Sequence, residues 1–297
     1  MKSRGLLYTA LIATTVVWGG SFVAIKQALR YLNPVQLLFM RFVPAALAFA
    51  VLICSKERRV LAKLLRTEWR SLCLMGLFGV IVYHLALNTG EQLIPAGTAS
   101  LIVAVNPAFI FVLSALFLRE RVTWMQVLGL CIAFLGLFIV IRFASGGQID
   151  FHYLRGVLIT LVAPFSWALY TVVSRPLAAQ HSPLAVTGMG TIMGALPILC
   201  TARSSLFDGL AVMPWDGWAS IAFLSFVCTV GGVTVWVTAL QHLEASRVGV
   251  FIYLVPLWGA VLSQLLLGEP LTLSLIVGAL VVIGGVVLVN RQYKTIA

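Results

Sequence analysis

Hydrogen-bonding and ionisable side chains are scarce in the apolar stretches of this 297-residue chain, so the few that occur there carry the chemistry. Tyr83, His84 and Asn88 recur at a helical period, with an imidazole among them, in a stretch that is otherwise apolar. That pattern points to substrate contact or gating. Trp18 and Phe22 share one helical face, as do Trp167 and Tyr170, and the two pairs read as packing or as an aromatic cavity wall. Trp236, among Thr229, Thr234 and Thr238, offers an indole and hydroxyls without fixed charge. Asn106 beside Pro107 presents an amide to a freed carbonyl or to a substrate, and Tyr253 stands as an interior hydroxyl before Pro256. Two cations fall inside apolar stretches. Arg41 either reaches outward or pairs with a helix-end carbonyl; alternatively Arg41 or Lys26 meets a substrate carboxylate.

Absences narrow the chemistry further. No Walker sequence, G-x-S-x-G or H-E-x-x-H is present, so ATP-driven transport and the corresponding hydrolases are excluded, and no catalytic residue, metal or cofactor is expected. The acids Glu57, Glu68, Glu91, Glu120, Asp150, Asp208, Asp216, Glu244 and Glu269 all fall in loops or at the ends of apolar stretches. That argues against a carboxylate proton carrier at mid-membrane, and a neutral, zwitterionic or partly aromatic substrate fits better. The five cysteines show no C-x-x-C and read as small buried hydrophobes. An integral membrane enzyme would cluster catalytic residues at one face, and a channel would show a filter segment; neither pattern is visible.

These residues need elements to position them. Hydrophobic residues make up 61% of the chain and charged residues 10%, against about 45–50% and 25% in soluble domains. Such a chain works in lipid, where backbone amides must be satisfied internally, and apolar runs of about 20 residues favour helices over barrel strands. The runs divide as 5–29, 34–54, 69–88, 94–118, 124–141, 154–174, 183–200, 217–238, 243–268 and 271–289. The expectation is an all-α integral membrane protein with ten transmembrane helices. The net charge of +11 comes mostly from Lys and Arg in loops on one side, including Lys56 to Arg70, Arg119, Arg121 and Arg247. By the positive-inside rule both termini are cytoplasmic, and the charge reads as orientation rather than nucleic-acid binding.

The chain also repeats itself. PAFIFVLSALFLRE from Pro107 returns 149 residues later as PLWGAVLSQLLLGE from Pro256. At the same offset Trp18 falls on Trp167, Pro34 on Pro183, Glu120 on Glu269, Thr123 on Thr272, Gly129 on Gly278 and Gly136 on Gly285. Residues 1–148 and 149–297 therefore read as two five-helix repeats, inverted relative to one another because five is odd, with a site near the midplane between them. Pro107 and Pro256 are read as kinks or hinges within their helices. Glu120 and Glu269 are read as structural turn residues near the start of the next helix, which Thr123 and Thr272 cap.

The W-G-G-S-F opening, the N-P-x-x-x-F stretch, the L-R-E-R and L-G-E-P turns and the glycine-bearing fifth and tenth helices resemble the drug/metabolite transporter superfamily, EamA family. The resemblance runs from Leu6 to Asn290. It implies a basket in which spans one to four and six to nine surround a central cavity, with Trp18, Tyr83, His84, Trp167 and Trp236 as lining. Spans five and ten then pack peripherally or at a dimer contact. It further implies a secondary transporter in the bacterial inner membrane. The expected activity is outward movement of small metabolites by alternating access, foremost neutral, aromatic or thioether amino acids, with drugs or nucleobases as the alternative. The expected partners are the substrate and the bilayer, without nucleic acid, in a monomer or weak homodimer.

Overall fold

The computed structural model describes residues 4–118, 123–143, 150–201, 207, 210, 213–243, 248 and 250–291. Regular structure among them is helical throughout. Helix α1 covers Arg4–Ala28 and α2 Pro34–Lys56. The start of α2 follows from its sequence: Asn33 Oδ1 accepts from the amides of Val35 and Gln36, Gln36 Oε1 accepts from Asn33 N, and Pro34 stands where no amide is needed. Helix α3 (Arg58–Met75) passes through a π-helical segment, Gly76–Val82, into α4 (Tyr83–Glu91). Then come α5 (Ala96–Val103), α6 (Asn106–Leu118), α7 (Trp124–Phe143), α8 (Phe151–Gln180) and α9 (Pro183–Leu199). Helix α10 (Trp215–Ala222) leads through a second π segment, Phe223–Val233, into α11 (Thr234–His242). A 3₁₀ turn, Val250–Tyr253, opens α12 (Leu254–Leu267), and α13 is Leu273–Arg291.

The expectation of ten transmembrane helices in two inverted five-helix repeats does not hold. Among the described residues six helices are long and apolar enough to cross a membrane: Gly5–Ala28, Pro34–Lys56, Leu64–Glu91, Ala96–Leu113, Phe151–Gln180 and Trp215–His242. Four apolar helical stretches are shorter, at 10–17 residues: Val127–Ile139, Pro183–Leu199, Phe251–Leu267 and Leu273–Gly285. A helix of 17 residues rises about 26 Å, less than the roughly 30 Å hydrocarbon core. Counting apolar residues ignored the local stops. Gly268 takes a left-handed conformation at φ 69° and ends α12, where a residue bearing a Cβ would be strained.

The outer surface is apolar, as lipid contact requires: Leu47, Val51, Leu116 and Leu265 are 64–72% exposed. Inside, helices of one half pack on helices of the other. Helix α1 lies along α12, and α8, which carries the counterparts of α1 at the 149-residue offset, lies along α6 as well as α4. Helices α2 and α9 pair, as do α7 and α13. The last pair meets through small residues. A Cβ on Gly285 would sit 2.4 Å from Ala133 N, and one on Gly136 would sit 2.6 Å from Val282 N. Gly285→Leu is therefore expected to part α7 from α13 at a cost of about 1–3 kcal/mol. A melting curve in detergent checks this, and an unchanged midpoint would contradict the packing.

Candidate functional site

The two π segments set the geometry of the interior. They occupy equivalent places, since Gly76–Val82 advanced by 149 residues falls within Phe223–Val233. A π turn leaves backbone carbonyls out of the ordinary i−4 ladder, and such turns concentrate at functional sites. Each segment here receives a donor from the other half: Ser166 Oγ donates to Phe78 O (2.7 Å), and Trp18 Nε1 donates to Cys228 O (3.2 Å). Glycine makes room for the adjoining rings. A Cβ on Gly79 would lie 2.3 Å from the Tyr170 ring, and one on Gly232 2.6 Å from Trp18 Nε1.

Between the segments lies a cavity lined from both halves of the chain. Trp18 and Tyr83 each pack against both major core clusters, so the cavity sits where the clusters meet. Its wall is an aromatic chain. Trp167 stands edge-on to Trp18 (centroids 5.8 Å apart), tilted against Tyr83 (5.3 Å) and stacked on Tyr170 (4.8 Å). The His84 ring stands edge-on to Tyr83 (4.6 Å) and Phe42 (4.5 Å), with Nδ1 3.2 Å from Val80 O, a geometry in which Nδ1 carries the hydrogen.

Of the residues singled out by sequence, Trp18, Phe22, Tyr83, His84, Asn106, Trp167 and Tyr170 all line this cavity. Three others do not. Trp236 is buried behind Trp18, with ring centroids 5.4 Å apart. Asn88 lies beyond the lining residue Leu87, and its Nδ2 donates to Pro34 O at 3.4 Å, tying α4 to the start of α2. Tyr253 is buried in the 3₁₀ turn, and its neighbours Ile252 and Val255 face the cavity instead.

The prolines also differ from the expectation of kinks within continuous helices. Helix α5 ends at Val103 and α6 restarts at Asn106, so Pro107 lies in a first turn; Pro256 likewise follows the 3₁₀ turn that opens α12. In a first turn the missing amide costs nothing. Glu269 sits in the turn before α13, but its carboxylate accepts from the amides of Ala96 (3.0 Å) and Gly97 (3.1 Å) at the start of α5. Thr272 Oγ1 caps α13 through Leu275 N at 3.2 Å. Glu120 lies outside the described residues.

The sequence leaves Arg41 open between reaching outward and meeting a substrate carboxylate, and the structure turns it inward. Arg41 lines the cavity, only 6% exposed, its Nε donating to Thr229 Oγ1 at 3.1 Å and its guanidinium carbon 5.2 Å from the Phe42 ring centre. Thr229 Oγ1 in turn donates to Leu224 O, five residues back in the π segment, at 2.8 Å. Among the described residues no Asp or Glu lines the cavity. The available signal was an arginine inside an apolar run whose counterpart at the offset is Gly190. Lys26, in contrast, pairs with helix-end carbonyls, donating to Glu91 O and Ile94 O. Asn106 Oδ1 is buried without a hydrogen-bond partner among the described residues. The cavity thus combines one guanidinium, one free carbonyl oxygen, hydroxyls and aromatic faces, a set able to hold a small molecule that has an anionic end and an apolar body.

The sequence profile of the EamA-like transporter family matches the chain twice, over residues 5–142 and 154–291. An uncharacterized transporter of Archaeoglobus fulgidus is 33% identical over 291 residues, covering 96% of this chain and 99% of that one. A probable terminal-alkyne amino-acid exporter of Streptantibioticus cattleyicolor is 32% identical over 285 residues, covering 95% and 93%. A solved crystal structure, 20% identical, superposes with a TM-score of 0.68 over 99% of this chain and 100% of that chain, a likeness of fold. The protein is a multi-pass inner-membrane secondary transporter of small metabolites, not an enzyme, and the chain belongs to the EamA-like transporter family.

Proposed function

We propose that the protein exports neutral, aromatic or thioether amino acids, holding them in the central cavity and exposing it alternately to the two sides. The observation that carries this reading is Arg41, a buried cation in a cavity that no acid lines among the described residues. A buried charge is costly unless paired, and a substrate carboxylate supplies the pair. The ammonium group then meets Asn106 Oδ1 and the faces of Trp18 and Trp167, where cation–π attraction adds about 0.5–2 kcal/mol. The side chain packs along Tyr170 and Tyr83. The description of the Streptantibioticus relative as a probable amino-acid exporter supports both substrate class and direction.

In this reading residues 1–148 and 149–297 act as two related units around the cavity, and both termini lie on the cytoplasmic side, a reading that the loop Lys and Arg support. The breaks before Pro107 and Pro256 serve as hinges. Counterflow into proteoliposomes with a panel of labelled amino acids tests the assignment: saturable flux is expected for aromatic or thioether members, and its absence for every amino acid would sink it. His84→Ala should lower that flux about tenfold by removing two ring contacts from the wall. Unchanged kinetics would remove His84 from the path.

A further inference from the structure

At the end of the bundle where α1, α4 and α12 finish and α5 begins, a second cleft is lined by Lys26, Arg30, Glu91 and Glu269, among others. Glu91 is the unusual member. It is 0% exposed, and neither carboxylate oxygen has a hydrogen-bond partner among the described residues. Reading Glu91 as an ordinary acid at the end of an apolar stretch missed this burial. The Lys26 ammonium lies on the Glu91 and Ile94 backbone carbonyls, and the Glu269 carboxylate is taken by the amides of Ala96 and Gly97. An ionised carboxylate without a donor is expensive to bury, whereas the neutral acid gives up much less.

We propose that Glu91 is a proton-binding site, distinct from the central cavity, whose protonation state sets where Lys26 is held. In the loading step one Glu91 oxygen takes a proton from hydronium in the cleft, forming an O–H bond and releasing water. In the unloading step water takes the proton back, and the resulting carboxylate draws the Lys26 ammonium off the two carbonyls into an ion pair. That exchange has a route to the cavity. Lys26 belongs to α1, which carries Trp18, Ser21 and Phe22, and its carbonyl partners join α4 to α5. Releasing them loosens α1 from the α4–α5 junction.

Among the described residues the groups facing Glu91 are few. Lys26 faces it from α1, with Arg30 at the cleft mouth, Arg41 acts from α2, and Glu269 from the turn after α12. Helix α8 packs Gly156 and Thr160 around Gly90, and its titratable His152, Tyr153 and Arg155 stand in the preceding turn. The π segment Gly76–Val82 contains no titratable residue, and Tyr83 and His84 lie on α4 itself at the central cavity.

Proton binding is read without any substrate, so its failure is separable from failure of the amino-acid assignment. Infrared difference spectra of the purified full chain, taken between alkaline and acid buffer, are expected to show the C=O stretch of a buried carboxylic acid. The band should vanish in Glu91→Gln, shift in Glu91→Asp and persist in Glu269→Gln. Lys26→Met should displace its titration midpoint at least tenfold in proton concentration. No such band in the wild type, or a band that survives Glu91→Gln or is lost instead in Glu269→Gln, overturns the proposal. Should Glu91→Gln fail to fold, Glu91→Asp decides: an unmoved band and midpoint overturn it equally.

Discussion

Arg41→Ala is expected to lower kcat/KM for a carboxylate-bearing substrate by about 10²-fold or more while the protein still inserts and purifies. The magnitude follows from losing a charge-assisted, desolvated contact, worth about 2–5 kcal/mol when one partner of such a pair is removed. Arg41→Lys should rescue only in part. A lysine restores the charge but not the planar fork, and its single nitrogen cannot hold Thr229 and a carboxylate in the arrangement the guanidinium gives. Labelled-substrate counterflow at several concentrations checks both variants; wild-type kinetics in Arg41→Ala would place the substrate elsewhere.

Trp167→Ala has the second-largest expected effect, because Trp167 touches three other rings, Trp18, Tyr83 and Tyr170. Each aromatic pair contributes about 0.5–1.5 kcal/mol beyond burial, and emptying a buried tryptophan site costs about 3–5 kcal/mol. A melting midpoint lowered by several degrees should accompany a KM that rises more for aromatic than for aliphatic substrates. Trp167→Phe keeps most of the stability and separates the two effects. Equal KM changes for both substrate types would reduce Trp167 to a packing residue.

Part of this site was legible in the sequence because its residues break local rules that lipid enforces. Trp18 and Trp167 are indoles about 13 residues into apolar helices, far from the interfaces where tryptophan ordinarily anchors. His84 and Asn106 are polar groups set within apolar runs, and those four residues all line the cavity. Arg41 was ambiguous because a long side chain near a helix end can reach water or turn inward, and only the packing of α2 against the second π segment decides which. The π segments left no mark in hydropathy, which does not distinguish an i−4 from an i−5 backbone bond. The number of crossings was misjudged for a related reason: apolar runs do not report where a helix starts or stops, so the end of α12 at Gly268 went unseen. Glu91 was hidden by position, since an acid at the end of an apolar run ordinarily reaches water.

The cavity recognises a carboxylate through Arg41 and an apolar body through the aromatic wall in the proposed transport cycle. Calorimetric titration of the purified protein with phenylalanine, phenylalanine amide and alanine tests this most directly. Saturable binding of phenylalanine is expected, weakened about tenfold or more by removing either the carboxylate or the ring, and the preference for acid over amide should disappear in Arg41→Ala. Equal binding of acid and amide, or a preference that survives Arg41→Ala, would contradict it.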